Sequence, residues 1–250
     1  MCASLPIALS LSIKSLYNSS RHSLLADAWA GPVGGGTLIS HLPRIFFLTC
    51  FPMILISCAS DPYAVNTCNP KNGIQLPTEQ IPSLGNPDSG VKITVFGDIT
   101  CPITKHLIVL LEDFIRSEDG VSIELFYRHL LRSSSSPSMD AAQALTAANQ
   151  QGSEFFWTLY WRLMIIDDLS RESILAAAEA SVPDPAAFRQ AVTSSEVSTA
   201  VEQDDALGHE LGFAGVPGVV LCGQKTSGTP EDILENVRYL ARNAVDSETD

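Results

Sequence analysis

The stretch "GVKITVFGDITCPITKHLIVLLEDFI", residues 90–115, constrains this chain more than any other. Its β-branched run Lys92–Phe96 stops at Gly97-Asp98 and reads as a buried strand. From Pro102 to about Ser117 the apolar positions Ile103, Leu107, Leu110, Leu111, Phe114 and Ile115 keep a helical period. Pro102 suits the first helical position, which leaves Cys101 as the capping residue. A cysteine is thus set where a strand hands over to a helix. Three residues on, where a second cysteine would complete a two-thiol redox centre, stands Thr104.

The remaining order follows from the same signals. "VSIELFY" (Val121–Tyr127) is a second strand, and "RSSSSPS" (Arg132–Ser138) breaks the chain before a helical block at about 138–212. Its segments open on capping residue types such as Ser153, Ser170 and Asp184. The aromatics Phe155, Phe156, Trp157, Tyr160 and Trp161 fall at mixed helical spacings and suit core packing. "GVVLCG" (Gly218–Gly223) returns to strand, followed by a short turn, an edge strand and an amphipathic helix that Thr229 caps. The pattern β-α-β, helical insertion, β-β-α predicts an α/β fold over 87–246, a mixed sheet flanked by helices.

Length and charge bound the function classes. The 250 residues suffice for one substantial domain, and 45% hydrophobic content is ordinary for a globular chain. A formal net charge of -13 argues against a nucleic-acid groove or a polybasic membrane surface. Residues 1–57 differ, with Lys14, Arg21 and Arg44 against the single acid Asp27. Their glycine-rich piece, Gly31–Leu38, lacks the Gly-Lys-Ser/Thr of a phosphate loop. Arg44 then precedes the apolar run Ile45–Ser57, shorter than the ~20 residues that span a bilayer and suited to a secretory signal. "LISC" (Leu55–Cys58) resembles the bacterial lipobox, which implies a lipid on Cys58, removal of 1–57, and a place on the periplasmic face of a membrane in the cell envelope; the alternatives are an ordinary cleaved signal or a short anchor helix that stays. Residues 58–86, rich in Pro, Asn and Ser, then read as a flexible tether. Export would leave Cys68, Cys101 and Cys222 as thiols in an oxidising compartment, with three pairings open. A Cys68–Cys222 disulfide would pin the tether to the hairpin.

From about Ile81 to Ala244 the chain resembles the DsbA-like thioredoxin-fold family. The residues that carry the likeness are "IPSLGNPDSGVKITVFGDITCP", "NQQGSEFFWTLYWRLM" and "ELGFAGVPGVVLCGQKTSGTPEDIL". The resemblance implies thiol–disulfide oxidoreductase chemistry at Cys101, a cis-proline at Pro217 facing it, and substrate contacts at Pro102, Val216 and Pro217. The departure is "CPIT" where that family has Cys-Pro-x-Cys.

The residues themselves agree about Cys101. A thiol at a helix N-terminus meets the positive end of the dipole and unpaired N–H groups, which favour the thiolate that attacks disulfides. The bland alternative is a small buried hydrophobe before a proline. Thr104 cannot attack a mixed disulfide, although its hydroxyl is expected to reach the Cys101 thiolate. Several readings stay open. Cys101 works as a monothiol whose mixed disulfides an external thiol resolves, glutathione or a partner protein. Alternatively Cys68 or Cys222 resolves it, though strand direction carries Cys222 away from Pro217. A third reading is a catalytically silent module that binds extended peptides in the "GVPG" groove (Gly215–Gly218), and a fourth is a glutathione-dependent transferase or isomerase. Asp98 either handles the Cys101 proton or simply ends the strand. His106, His129 and His209 fall on separate elements without paired ligand spacing, so no metal is expected, and His106 reads as a solvated helix residue. No cofactor is expected beyond glutathione as a co-substrate. The expected partners are exported cysteine-containing proteins or small thiols, with the membrane reached through the lipid.

Overall fold

The computed structural model describes Cys68, residues 73–120 and residues 122–247. The leader, Cys58 and most of the expected tether lie outside the described residues. Strand β1 is Ser83–Gly85, β2 is Val91–Gly97 and helix α1 is Pro102–Ile115. After a short 3-10 turn comes β3, Ile123–His129. Five helices follow: α2 Ser138–Asn149, α3 Ser153–Ile165, α4 Arg171–Glu179, α5 Pro185–Ala191 and α6 Ser195–Glu210. Strands β4 (Gly218–Leu221) and β5 (Gln224–Thr226) and helix α7 (Pro230–Ser247) close the fold.

The sheet order is β1-β3-β2-β4-β5. Strands β2 and β3 run parallel, joined by α1 as their crossover, and every other neighbouring pair is antiparallel. The β-branched run therefore lies at the centre, buried along its length except at Lys92. Alternation sends its side chains to two cores. Ile93 and Val95, with Leu125 and Tyr127 of β3, join the large core built on α1, α7 and the insertion. Phe96 faces the other way, in a smaller core with Leu130 and Val220 that Leu207, Leu211 and Phe213 cover.

The insertion is a helical layer held by its aromatics, as the sequence suggests. Phe156, Trp157, Tyr160 and Trp161 are buried. The Tyr127 ring sits 5.5 Å from Phe156 and 5.3 Å from Tyr160, edge or tilted geometries that aromatic pairs favour. Ser170 and Asp184 cap α4 and α5 through their side chains. Ser153 does not cap α3, which starts after Gly152 at φ 140°. Its hydroxyl instead accepts from Ser83 N at 2.8 Å and donates to Ser83 O at 3.0 Å, fastening α3 to β1.

The tether expected over 58–86 needs a correction at its end. Ser83–Gly85 is the edge strand, and Ile74 and Leu76 pack against the smaller core. Ile74 N donates to Gly223 O at 2.7 Å, and Asn149 reaches Gln80 O at 2.7 Å. Two apolar residues two positions apart can bury an extended segment, yet they are too few to register as a periodic pattern.

Candidate active site

Three segments converge on Cys101. The loop Gly97–Thr100 delivers it from β2, and Cys101 occupies the N-cap of α1 in extended conformation, with Pro102 at the first helical position. Its carbonyl accepts the first helical bond from Lys105 N at 3.0 Å. No acidic residue occupies the first turn of α1. Cys101 is only 5% exposed.

The second segment is the loop before β4. Phe96 lies opposite Gly218 in the ladder, which puts the loop 215–217 at the same end of the sheet as Cys101. The Val216–Pro217 peptide bond is cis. Cys101 Sγ lies 3.7 Å from Val216 O, within reach of a weak S–H donation. The fold thus brings together two residues 115 apart in the chain.

The third segment, 132–138, carries no sequence signal for a site. It is tied to the Cys101 loop through Asp98, which is 2% exposed. Asp98 Oδ1 accepts from Thr100 N and Thr100 Oγ1, both at 2.7 Å, and Oδ2 accepts from Arg132 N at 2.8 Å. Asp98 O accepts from Cys101 N at 2.9 Å, and Thr100 Oγ1 meets Ser138 Oγ at 3.3 Å. Asp98 is thus the knot of the loop, and its carboxylate makes no hydrogen bond to Cys101 Sγ. A second cis bond, Ser136–Pro137, lies in this segment.

Thr104 is fully buried, and its Oγ1 has no hydrogen-bond partner among the described residues. The expected hydroxyl contact with the Cys101 sulfur is not made. Its methyl is turned to Gly97 instead: a Cβ on that glycine would meet Thr104 Cγ2 at 2.5 Å and Tyr127 Oη at 3.1 Å. Helical residues at the third position point back over the strand end, and here the space above β2 is open because Gly97 has no side chain. His106, expected as a solvated helix residue, is 23% exposed and paired. Its Nε2 sits 2.6 Å from Glu231 Oε1, which joins α1 to α7, and this contact holds the Glu231 carboxyl below the usual range. Burial lowers the half-buried Lys105, while the charge of Asp98 works in the opposite direction.

Cys68 and Cys222 form a disulfide, with their Cα atoms 4.9 Å apart, and Cys101 is the free cysteine among the described residues. Cys222 N donates to Lys92 O at the opposite end of β2 from Gly97. Five residues of strand put the disulfide about 17 Å from the Cys101 end, beyond any direct attack.

A cleft of about 1130 Å³ opens elsewhere, between α2, α6 and the segment 77–82, with Tyr127 and His129 in its lining. Cys101 does not line it. The candidate site is the junction of strand, helix and cis-proline loop at Cys101.

Comparisons with known proteins fit this junction. The thioredoxin family profile matches residues 77–237. A thioredoxin-like oxidoreductase from Silicibacter pomeroyi is 26% identical, with TM-score 0.56 over 66% of this chain and 94% of its own. BdbD from Bacillus subtilis, in its oxidised form, is 17% identical with TM-score 0.55, covering 66% of this chain and 97% of its own. A thiol-disulfide exchange protein from Wolbachia pipientis is 20% identical with TM-score 0.55, over 64% and 86%. No curated protein sequence matches the chain. With the profile spanning the sheet, the insertion and most of α7, and with a cysteine at the strand–helix junction beside a cis-proline, the chain belongs to the thioredoxin family.

Proposed function

We propose that this protein carries out thiol–disulfide exchange as a monothiol through Cys101. The observation that carries the reading is the Cys101 thiol at the N-terminus of α1, 3.7 Å from Val216 O beside cis-Pro217, with the other described cysteines bonded to each other. Similarity to the Silicibacter oxidoreductase and the Wolbachia thiol-disulfide exchange protein lends support. In the first step the Cys101 thiolate attacks a substrate disulfide that lies along Val216–Pro217 and over Pro102, and one substrate sulfur leaves as a thiolate. In a two-thiol site an internal neighbour would then release the substrate with the rate advantage of a held group. Thr104 has no sulfur and the Cys68–Cys222 bond is remote, so an external thiol completes the cycle.

The 5% exposure of Cys101 favours a second reading, a peptide-binding module in which the cysteine is incidental. Export and a lipid on Cys58 belong to the proposal as well. Among the described residues no helix is long and apolar enough to cross a membrane, and a periplasmic thioredoxin-like protein from Salmonella enterica shares the fold at 18% identity. Capture of mixed disulfides in the exporting cell tests the chemistry. Partners bound covalently by the native protein and lost with Cys101→Ser are expected. Equal, thiol-insensitive recovery of partners by both would favour the binding module.

A further inference from the structure

The two sides of Cys101 differ in chemistry. The start of α1 carries Ile103, 53% exposed, and the cis-proline loop carries half-buried Val216, both apolar. On the other side the segment tied to Asp98 presents Arg132 and the hydroxyls of Ser133–Ser136, all exposed. Lys105 lies four residues past Cys101, and so on the same helix face, half-buried and in the field of Asp98.

Lys92, Arg116, Arg128, Arg171, Arg189 and Arg238 each have a carboxylate partner. Of the described cations, Lys105, Arg132, Arg162, Lys225 and Arg242 have no carboxylate partner among the described residues, and of these Lys105 and Arg132 are the two on the segments that meet at Cys101. The nearby acids are otherwise engaged. Asp98 is buried with both oxygens taken, and Asp205 accepts from Leu131 N at 2.7 Å and faces His209 at 3.8 Å. Glu231 is held by His106. In a chain of net charge -13, small anions are repelled from most of the surface, but these two cations beside the thiol are free to receive one.

We propose that the thiol resolving Cys101 is a small anionic one, whose carboxylate is received by Arg132 and Lys105 with the hydroxyls of Ser133–Ser136. This rests on the exchange reading above and names its co-substrate class. The steps balance. The Cys101 thiolate attacks R–S–S–R′, forming a Cys101–S–S–R bond and expelling R′–S⁻, which takes a proton from water. An anionic small thiolate G–S⁻ then attacks the R sulfur, giving G–S–S–R and regenerating the Cys101 thiolate. Overall G–SH and R–S–S–R′ become G–S–S–R and R′–SH, the G sulfur being oxidised as the R′ sulfur is reduced. Arg132 contributes a planar fork suited to carboxylate, whereas Lys105 contributes a point charge.

The test measures loss of the free Cys101 thiol in the full chain with three disulfides of graded charge: glutathione disulfide, neutral hydroxyethyl disulfide and cationic cystamine. Each rate is divided by that of a free small thiol with the same disulfide. At low salt, glutathione disulfide is expected to outrun cystamine by about tenfold, the scale of electrostatic steering, and salt should erode the preference. The ratio should fall toward one in Arg132→Gln with Lys105→Gln and recover in Arg132→Lys. Equal normalised rates, or a ratio that survives the double substitution, would overturn this inference while leaving Cys101 an exchange thiol. No reaction with any of the three would overturn both.

Discussion

Thr104 is where the chain departs from a two-thiol centre, and its surroundings show what replaced the second sulfur. The side chain is packed for shape, methyl toward Gly97, at the cost of a buried hydroxyl without a partner. An unmade buried hydrogen bond costs about 1–3 kcal/mol. Valine keeps the shape and removes the hydroxyl, so Thr104→Val is expected to raise stability by about 1 kcal/mol in urea unfolding, with the alkylation rate of Cys101 unchanged. A loss of stability, or slower alkylation, would mean that the hydroxyl has a role at the sulfur. The identity of Thr104 is plain in the sequence. Its orientation is not, because that depends on an absent side chain seven residues earlier, at Gly97.

At the scale of elements, β2 and α1 were legible because one periodicity hands over to another around Cys101-Pro102. The helical insertion was legible from its segment breaks and caps. The three-residue β1 was not: its pairing with β3 is decided by contacts with Ser153 and Trp157, some 70 residues away. The role of 132–138 was equally hidden, since a serine-rich break looks the same whether or not a buried aspartate holds it. His129 shows how the elements are locked together. At the end of β3 its N–H donates to Asp204 Oδ2 of α6 at 3.1 Å, and its Nε2 meets Thr146 Oγ1 of α2 at 3.1 Å. Burial lowers its pKa from 6.5, outweighing the opposing pull of Asp204, Asp98 and Asp205. The unfolded chain therefore binds the proton more readily than the fold. The stability contributed by neutral His129 is complete above about pH 6.5 and is lost as pH falls through the lowered value, at up to ~1.4 kcal/mol per pH unit. His129→Gln, which can still bond Thr146, is expected to flatten the fall in unfolding free energy between about pH 6.5 and 5. An unchanged slope would contradict the assignment.

Over the whole molecule, the Cys68–Cys222 bond closes a separation of 154 residues and fastens the start of the domain to the β4–β5 turn. Loop-closure entropy over such a span makes a loss of about 2–4 kcal/mol the expected effect of Cys68→Ser with Cys222→Ser, measured by urea unfolding. Since that bond is at the far end of the sheet, exchange at Cys101 should persist in the double variant. On the exchange reading proposed above, the fold separates a structural disulfide from a working thiol, and the first chemical step from the second. Intact-mass spectrometry of the full chain after mixing with a single disulfide-bonded peptide tests this division most directly. The expected result is one peptide adduct, on Cys101, that persists until a small thiol is added and then leaves at once, whereas Thr104→Cys should shed it unaided. An adduct that the native chain releases without added thiol, or the absence of any adduct, would contradict the account.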